Sequence, residues 1–277
     1  MDFSRKLPIG VQSFKDLREK EFLYVDKTEY VFRLASASKV YFLSRPRRFG
    51  KSLFLSTLEA YFLGQKELFK GLAIEKLEEA EKENREIWLE YPVLYLDLNL
   101  AKYETREDLE SVLNNHLCRW EELYDKSNSE NTLAERFFGI IHRAYKKTGR
   151  QAVILIDEYD KPLLHTMWKD AALNEIYKTI LKGFFGVIKT ADQAIRFAFL
   201  TGVTKFSKVS IFSDLNNLND ISQKPDYAGI CGISQKELLE TFRPEIEILA
   251  ERNELSYEDC VSALKKRYDG YCFSYGT

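Results

Sequence analysis

Val40-Tyr-Phe-Leu-Ser-Arg-Pro-Arg-Arg-Phe-Gly-Lys-Ser52 is the stretch of the chain that decides its fold. Its first four residues are apolar and predict a buried strand, and the turn that follows is rich in arginine and ends at Gly50. From Lys51 onward, apolar residues recur every three or four positions, which predicts a helix. A strand, a short loop and a helix that opens with Gly-Lys-Ser are typical of a phosphate-binding loop, because free backbone N–H groups and the helix dipole attract an anion there.

The residue types of this loop suit a nucleotide and its magnesium ion. The Lys51 ammonium would reach the β- and γ-phosphates, and the Ser52 hydroxyl would bind Mg²⁺. The first glycine of the pattern G-x-x-x-x-G-K-[ST] is replaced by Arg45, which cannot adopt all of glycine's backbone conformations. We therefore expect a different loop path, in which Arg45, Arg47 or Arg48 contacts phosphate; the alternative is a basic turn that only caps a helix. The expected nucleotide-binding residues are Arg45, Arg47, Arg48, Phe49, Gly50, Lys51, Ser52 and Leu53.

Composition and charge narrow the class of protein. The chain has 277 residues, 45% of them hydrophobic, which suits one large α/β domain or a domain with a smaller appendage. The net charge of −2 gives no general attraction to nucleic acid. Four widely spaced cysteines match neither a zinc site nor a disulfide framework. With no N-terminal signal peptide and no apolar run long enough to span a bilayer, we expect a cytoplasmic protein with no membrane partner.

Buried strands alternate with helices along the chain. Apolar runs predict the strands, and apolar residues at helical spacing predict the helices between them. The strands are expected at 22–25, 40–43, 91–98, 152–156 and 195–200, and the main helices at 28–34, 51–62, 74–90, 106–124, 132–147 and 171–190. This alternation predicts an α/β fold, the three-layer α/β/α arrangement of a P-loop NTPase with a mainly parallel central sheet.

Polar residues follow several of these strands. In a parallel sheet, ligands bind at the carboxyl ends of the strands. The loop after Leu43, Asp97, the pair Asp157-Glu158 and Thr201 would all lie at that edge. The sequence therefore places the candidate chemistry in one region of the fold. The segment at 22–34 could cover the base of a bound nucleotide there, or only cap the sheet.

The strand that ends in Asp157-Glu158 carries the second chemical signal. Hydrolysis of a magnesium nucleotide needs a carboxylate that holds Mg²⁺, directly or through water, and we assign this role to Asp157. Glu158 would orient and activate the attacking water as a general base. The alternative is an acidic strand end without catalytic meaning. For Asp160 we expect a structural role, as a hydrogen-bond partner of the next helix or of Lys161.

Two residues after the next strand are further catalytic candidates. Thr201 would sense the γ-phosphate or position the water, or else only terminate the strand. Lys205 would supply the positive charge that the transition state needs. The three arginines of the loop compete with Lys205 for this role, and so does an arginine from a partner subunit.

Several segments together resemble the prokaryotic AAA-ATPase-like family. They are Leu7-Pro-Ile-Gly10, Tyr24-Val-Asp-Lys-Thr28, Arg45-Pro-Arg-Arg-Phe-Gly-Lys-Ser52, Leu155-Ile-Asp-Glu-Tyr-Asp-Lys-Pro162, Leu200-Thr-Gly-Val203, Phe212-Ser-Asp-Leu-Asn-Asn-Leu-Asn-Asp220 and Tyr268-Asp-Gly-Tyr271. The resemblance implies a P-loop ATPase core of the additional-strand type, with Asp157 and Glu158 as its Walker B pair. Arg45 also resembles the family's own form of the loop. Members often carry a C-terminal PD-(D/E)XK nuclease-like domain, which here would begin beyond Tyr271.

The C-terminal part changes in character. We divide the chain into a core at 1–225 and a helical appendage at 226–277, with helices expected near 235–252 and up to Tyr268, and an aromatic, strand-like ending at 268–277. The sequence predicts Mg²⁺-dependent binding and hydrolysis of ATP that is coupled to the appendage or to a downstream domain. The alternatives are a nucleotide-gated switch with little hydrolysis, and direct nucleic-acid binding through Arg45, Arg47 and Arg48. The sequence leaves open the preference for ATP or GTP, because it contains no guanine-specific Asn-Lys-x-Asp, and it leaves open a homo-oligomeric state.

Overall fold

One parallel sheet lies at the centre of the fold. The computed structural model describes residues 5–99, 101–204, 212, 218–268 and 270–274. Its strands are β1 (Val40–Ser44), β2 (Val93–Asp97), β3 (Ala152–Asp157), β4 (Ile195–Gly202) and β5 (Asn219–Asp220). Neighbouring strands are parallel, in the order β2-β3-β4-β1-β5. β4 therefore separates the strand that leads into the phosphate-binding loop from the strand that ends at Asp157.

Helices cover both faces of the sheet, which confirms the three-layer α/β/α fold. One face packs against α1 (Phe14–Glu19), α2 (Thr28–Ala37), α3 (Lys51–Phe62) and α4 (Ala73–Glu81). The other face packs against α5 (Arg106–Tyr124), α6 (Leu133–Thr148), α7 (Lys161–Thr166) and α8 (Ala171–Thr190). β3 is buried along its whole length, and its side chains contribute to the hydrophobic cluster on each face of the sheet.

The alternation of side chains along β3 decides which layer faces its acidic end. Val153 and Leu155 belong to the cluster that contains the apolar residues of α3, whereas Ile154 and Ile156 face the opposite layer. Successive side chains of a strand point to opposite faces. Asp157 therefore lies on the same face of the sheet as α3, the helix that begins with Lys51.

Three helices follow the sheet. They are α9 (Gln235–Thr241), α10 (Arg243–Arg252) and α11 (Tyr257–Tyr268), and they share a small cluster around Ile246, Ala250 and Cys260. Ser234 and Glu237 form a capping box at the start of α9. The prediction of one helix over 235–252 is wrong, because Pro244, which has no N–H to donate, lies in the first turn of a second helix.

Three other segments differ from the sequence prediction. The expected strand at 22–25 is reduced to one bridge between Phe22 and Lys6, because no neighbouring strand pairs with the rest of it. The helix expected over 74–90 ends at Glu81, and Trp88 has a left-handed backbone with φ of 54°. The described part of the ending, 270–274, contains no strand.

Candidate functional site

The loop between β1 and α3 contains two residues with a left-handed backbone. Gly50 caps α3 with φ of 85°, and Arg48 is also left-handed with φ of 67°. Glycine adopts such values at no steric cost. Arg45 is not among the residues with positive φ, and its backbone N–H donates to the Gly202 carbonyl at 3.1 Å. The pairing of β1 with β4 thus continues into position 45, and this position does not need glycine.

The loop holds its lysine in place. Lys51 is 5% exposed, and its Nζ donates hydrogen bonds to the backbone carbonyls of Arg45 at 3.0 Å and Pro46 at 3.1 Å. An ammonium has three N–H donors, so one is left for a phosphate oxygen. The first amides of α3 have no intrahelical acceptor, since Phe54 makes the first helical bond, to the carbonyl of Gly50. Anions are stabilised at such a helix start.

The Arg45 side chain is buried and bonds to backbone carbonyls. Its Nη1 donates to the carbonyl of Ser222 at 2.6 Å and to that of Ser44 at 3.0 Å, and its Nη2 donates to the carbonyl of Tyr227 at 3.1 Å. The guanidinium also lies 4.3 Å from the ring centroid of Phe273. In this structure the Arg45 guanidinium therefore contacts protein groups, and the expected contact of Arg45, Arg47 or Arg48 with phosphate stays a prediction. Arg47 is exposed, and so is Arg48.

An apolar pocket of about 200 Å³ lies beside the loop. The part of its wall that comes from the loop and α3 includes Phe49, Gly50 and Leu53. The other walls come from the N-terminal segment and from the segment before α9, and they include Pro8, Leu23, Tyr24, Val25, Lys27, Ile230, Cys231, Gly232 and Ile233. The N-terminal segment thus forms one wall of this pocket, and its expected role of covering a base stays a prediction.

The acidic edge of the sheet forms a row across three strands. Asp97 and Asp157 are register partners on β2 and β3, and Thr201 lies beside Asp157 on β4. The Thr201 hydroxyl donates to Oδ1 of Asp157 at 2.5 Å and accepts a bond from the N–H of Glu158 at 3.3 Å. Thr201 is fully buried and contacts both members of the acidic pair, and its expected role at the γ-phosphate or the attacking water stays a prediction.

Glu158 has an unusual backbone and a perturbed acidity. Its φ is 49°, a left-handed value that a residue with a Cβ rarely adopts. Burial raises the pKa of Glu158, and the negative charge of Asp157 raises it further. The positive charges of Lys51, Lys161 and Arg47 act in the opposite direction and lower this pKa. A carboxylate with a raised pKa is a stronger base than an ordinary one, which suits proton abstraction from water.

Asp97 shares this environment. Burial is the main reason that its pKa is raised, and the charge of Asp157 adds to the effect. Its Oδ1 accepts the N–H of Asn99 at 2.8 Å, and the Asn99 side chain accepts a bond from Lys161 Nζ at 3.0 Å. The position of Asp97 at a strand end is visible in the sequence, but its register with Asp157 is not.

Asp160 connects β3 with the end of β4. It is fully buried, and its Oδ2 accepts bonds from the N–H groups of Val203 at 3.0 Å and Thr204 at 2.7 Å and from the Thr204 hydroxyl at 2.9 Å. A Cβ at Gly202 would come within 2.4 Å of the Tyr159 ring. Asp160 also bonds to the next helix, as expected, because its backbone carbonyl accepts the Leu164 N–H at 2.8 Å, whereas its side-chain partners lie after β4.

The donor set at this edge fits a magnesium ion with a bound phosphate. Ser52 lies in the first turn of α3 and Asp157 on the sheet face that α3 covers. Among the described residues no three His, Cys, Asp or Glu side chains form a metal cluster. Mg²⁺ needs no such cluster, because it commonly takes one or two protein oxygens and completes its shell with phosphate and water. Lys205 lies outside the described residues.

Comparison with known proteins identifies the family. A family model described as "Predicted AAA-ATPase" matches residues 8–212. The chain belongs to this AAA-ATPase-like family. It is also 39% identical over 244 residues to the "Uncharacterized protein in vnfD 5'region" of Azotobacter chroococcum mcd 1. That match covers 87% of this chain and 46% of the relative, so the chain spans about half the length of the curated relative that it matches.

Membership in this family places the chain among predicted ATPases, which are nucleotide-binding proteins. The matched region contains the phosphate-binding loop and the acidic edge of the sheet. It ends before Ser222, Tyr227 and Phe273, whose contacts with Arg45 could not be read from the sequence because they join positions far apart in the chain. In the part of the chain that the structure describes, no helix could cross a membrane.

Proposed function

We propose that this AAA-ATPase-like chain binds ATP with Mg²⁺ and hydrolyses it to ADP and phosphate. The observation that carries the proposal is the position of Lys51, buried in the concave side of the loop with two of its three donors bound to loop carbonyls. Because the side chain of such a lysine is already fixed, binding of an anion costs it little further conformational entropy. The family match supports the same class of activity.

Binding would use two neighbouring surfaces. The triphosphate would lie against the first amides of α3 and the third donor of Lys51. The apolar pocket beside Phe49 and Leu53 would take the planar base, because its walls offer apolar contact. We assign the base to adenine, in agreement with the family. Arg47 and Arg48, whose side chains are exposed at the loop, would contact the outer phosphate oxygens.

Hydrolysis would use the acidic edge. Ser52 and Asp157 would hold Mg²⁺, which neutralises charge on the β- and γ-phosphates. The Glu158 carboxylate would take a proton from water as the water oxygen attacks the γ-phosphorus, and the bond to the bridging oxygen of ADP would break. Thr201 would hold Asp157 and the Glu158 amide in place during this step. Lys51 would stabilise charge in the transition state, and Arg47, Arg48, Lys205 or an arginine of a partner subunit could add to it.

The C-terminal helices are in a position to respond to the nucleotide. Nζ of Lys27, which lines the apolar pocket, pairs with the carboxylate of Glu237 in α9. Arg5 pairs with Glu245 in α10 and also donates to the backbone carbonyl of Thr241. We propose that nucleotide state moves α9–α11 through these contacts. We also propose that the protein is cytoplasmic and forms a homo-oligomer, and that a nuclease-like domain follows this chain in the whole protein.

Steady-state ATP hydrolysis with Mg²⁺ tests the proposal. We expect turnover by the unmodified chain, loss of nucleotide binding in Lys51→Ala, and retained binding without turnover in Glu158→Gln. A Glu158→Gln protein that hydrolyses ATP at the normal rate would exclude Glu158 as the base. Tight, Lys51-dependent binding without turnover in the unmodified chain would instead support a nucleotide-gated switch. Binding of nucleic acid that persists at saturating ATP would support contact through the loop arginines.

A further inference from the structure

We infer that Tyr271 and Phe273 form an aromatic clamp that holds the phosphate-binding loop in its binding conformation. The inference rests on the proposed nucleotide binding at this loop. It assigns a positioning role to residues that lie far outside the region of the family match at 8–212. It also gives the segment at 270–274 a direct connection with nucleotide state.

The clamp holds the loop at Phe49. The ring centroid of Phe49 lies 4.7 Å from that of Tyr271 and 5.3 Å from that of Phe273, with interplanar angles of 70° and 86°. Edge-to-face contacts of this kind are the favoured geometry of aromatic pairs. Tyr271 and Phe273 are themselves nearly parallel, with centroids 6.1 Å apart. Phe49 is therefore in contact with two side chains of the same short segment.

The clamp also holds the loop at its first residue. The Arg45 guanidinium lies 4.3 Å from the centroid of Phe273, a distance at which the ring attracts a cation. Arg45 is 1% exposed, and its Nε is a buried donor for which the described residues provide no hydrogen-bond acceptor. Burial lowers the pKa of Arg45, which indicates how poorly the charge is solvated. Removal of the Phe273 ring would take away one of the few groups that stabilise this buried charge.

Phe49 joins the clamp to the proposed base pocket. Phe49 lines the pocket together with Gly232, and the backbone carbonyl of Phe49 accepts the Gly232 N–H at 2.9 Å. A change at Phe49 therefore alters the clamp and the pocket together. Tyr271 is 62% exposed, so the clamp lies at the surface and can open without disruption of the core. This combination suits an element that changes with ligand binding.

Thermodynamic linkage makes the inference quantitative. If the closed clamp favours the loop conformation that binds ATP, then bound ATP must favour the closed clamp by the same factor. For Phe273→Ala we expect the Kd of Mg²⁺ with a non-hydrolysable ATP analogue to rise about tenfold, which corresponds to about 1.4 kcal/mol. We expect KM for ATP to rise with little change in kcat, because Lys51 and Glu158 are not altered.

Calorimetric titration of a set of variants of this 277-residue chain tests the clamp. Phe273→Tyr keeps an aromatic ring and should bind the analogue within about twofold of the unmodified chain, whereas Phe273→Leu keeps bulk without a π face and should bind more weakly. Tyr268→Ala is the matched control, since Tyr268 is a 69% exposed aromatic residue at the end of α11. It should bind normally. Equal affinity in Phe273→Ala and the unmodified chain would overturn the inference.

A second measurement needs no variant at the clamp. Chymotrypsin cleaves after aromatic residues, and cleavage after Tyr271 or Phe273 requires the clamp to open. When opening is fast, the cleavage rate follows the open population. The analogue should slow these two cleavages in the unmodified chain and not in Lys51→Ala. Analogue binding without protection would refute the clamp and leave the proposed function intact, whereas no binding at all would refute the proposed function itself.

Discussion

Replacement of Glu158 by glycine should stabilise the protein while it abolishes hydrolysis. Glu158 has φ of 49°, and a left-handed backbone costs a residue with a Cβ about 1–2 kcal/mol. The conformation is imposed by neighbours, since Thr201 accepts the Glu158 N–H through its hydroxyl and the Tyr159 N–H through its carbonyl. Glycine takes the same backbone freely but loses about 0.5–1 kcal/mol more conformational freedom on folding. The net backbone gain is therefore about 0.5–1 kcal/mol.

The carboxylate adds a second contribution that depends on pH. The pKa of Glu158 is raised above its ordinary value of 4.5, mainly because burial desolvates the charge. A carboxyl whose folded pKa is raised favours the folded state below the unfolded pKa and loses this contribution as the pH rises through the folded pKa. Glu158→Gln removes the charge and keeps the backbone. Its stability relative to the unmodified chain should therefore increase as the pH rises above 4.5.

Urea and thermal unfolding across this pH range separate the two contributions. The difference between Glu158→Gly and Glu158→Gln should be about 0.5–1 kcal/mol and nearly independent of pH, because both variants lack the charge. In a domain of this size it corresponds to a rise in Tm of about 1–3 °C. ATP hydrolysis should be absent in both. If Glu158→Gly unfolds at a lower temperature than Glu158→Gln at every pH, the backbone at position 158 is not strained and the reasoning fails.

Three further substitutions test other contacts of the site. Asp160→Ala should lower the free energy of unfolding by about 2–4 kcal/mol in a urea titration, because it leaves the part-buried N–H groups of Val203 and Thr204 without their acceptor. A loss below about 1 kcal/mol would contradict this role. Gly232→Ala should cost about 1–2 kcal/mol for a left-handed alanine, and it should weaken ATP binding because the new Cβ would lie 3.1 Å from the Phe49 ring; unchanged calorimetric affinity would count against it. Lys27→Met should destabilise the chain by about 1–3 kcal/mol at pH 7 and by less in acid, because burial raises the pKa of Glu237 but the hydrogen bond and charge of Lys27, together with hydrogen bonds from Ser234, lower this pKa overall; equal losses at both pH values would argue against the ion pair.

Local patterns were enough to predict most of the fold. The bounds of α5 and α8 agree with the sequence prediction, because each helix combines a periodic apolar face with a polar residue at its start. The helix predicted at 132–147 is also present as α6, where Thr132 and Glu135 form a capping box and Gly149 ends the helix with φ of 70°. The position of Asp157 and Thr201 at one edge of the sheet could also be predicted from the sequence, because the carboxyl ends of parallel strands meet there.

Pairings between distant residues could not be predicted in the same way. The apolar run at 22–25 suits a strand, but the pattern does not say whether another strand is available to pair with it. The bond from Thr201 to Asp157 depends on the insertion of β4 beside β3, and no local signal carries the order of strands. Pro244 did carry a local signal, and the prediction of a continuous helix across it neglected the missing N–H.

Arg45 shows why the expected division at residue 225 is a poor guide to function. Its guanidinium donates to Ser222 on one side of this division and to Tyr227 on the other, and Phe273 lies against its face. A shorter piece that ends at 225 would keep the whole acidic edge of the sheet but would leave a buried cation with fewer partners, which is costly in a medium of low polarity. It would also lose the Gly232 contact with the loop. The smallest piece that we expect to bind nucleotide normally therefore extends to the segment that contains Phe273.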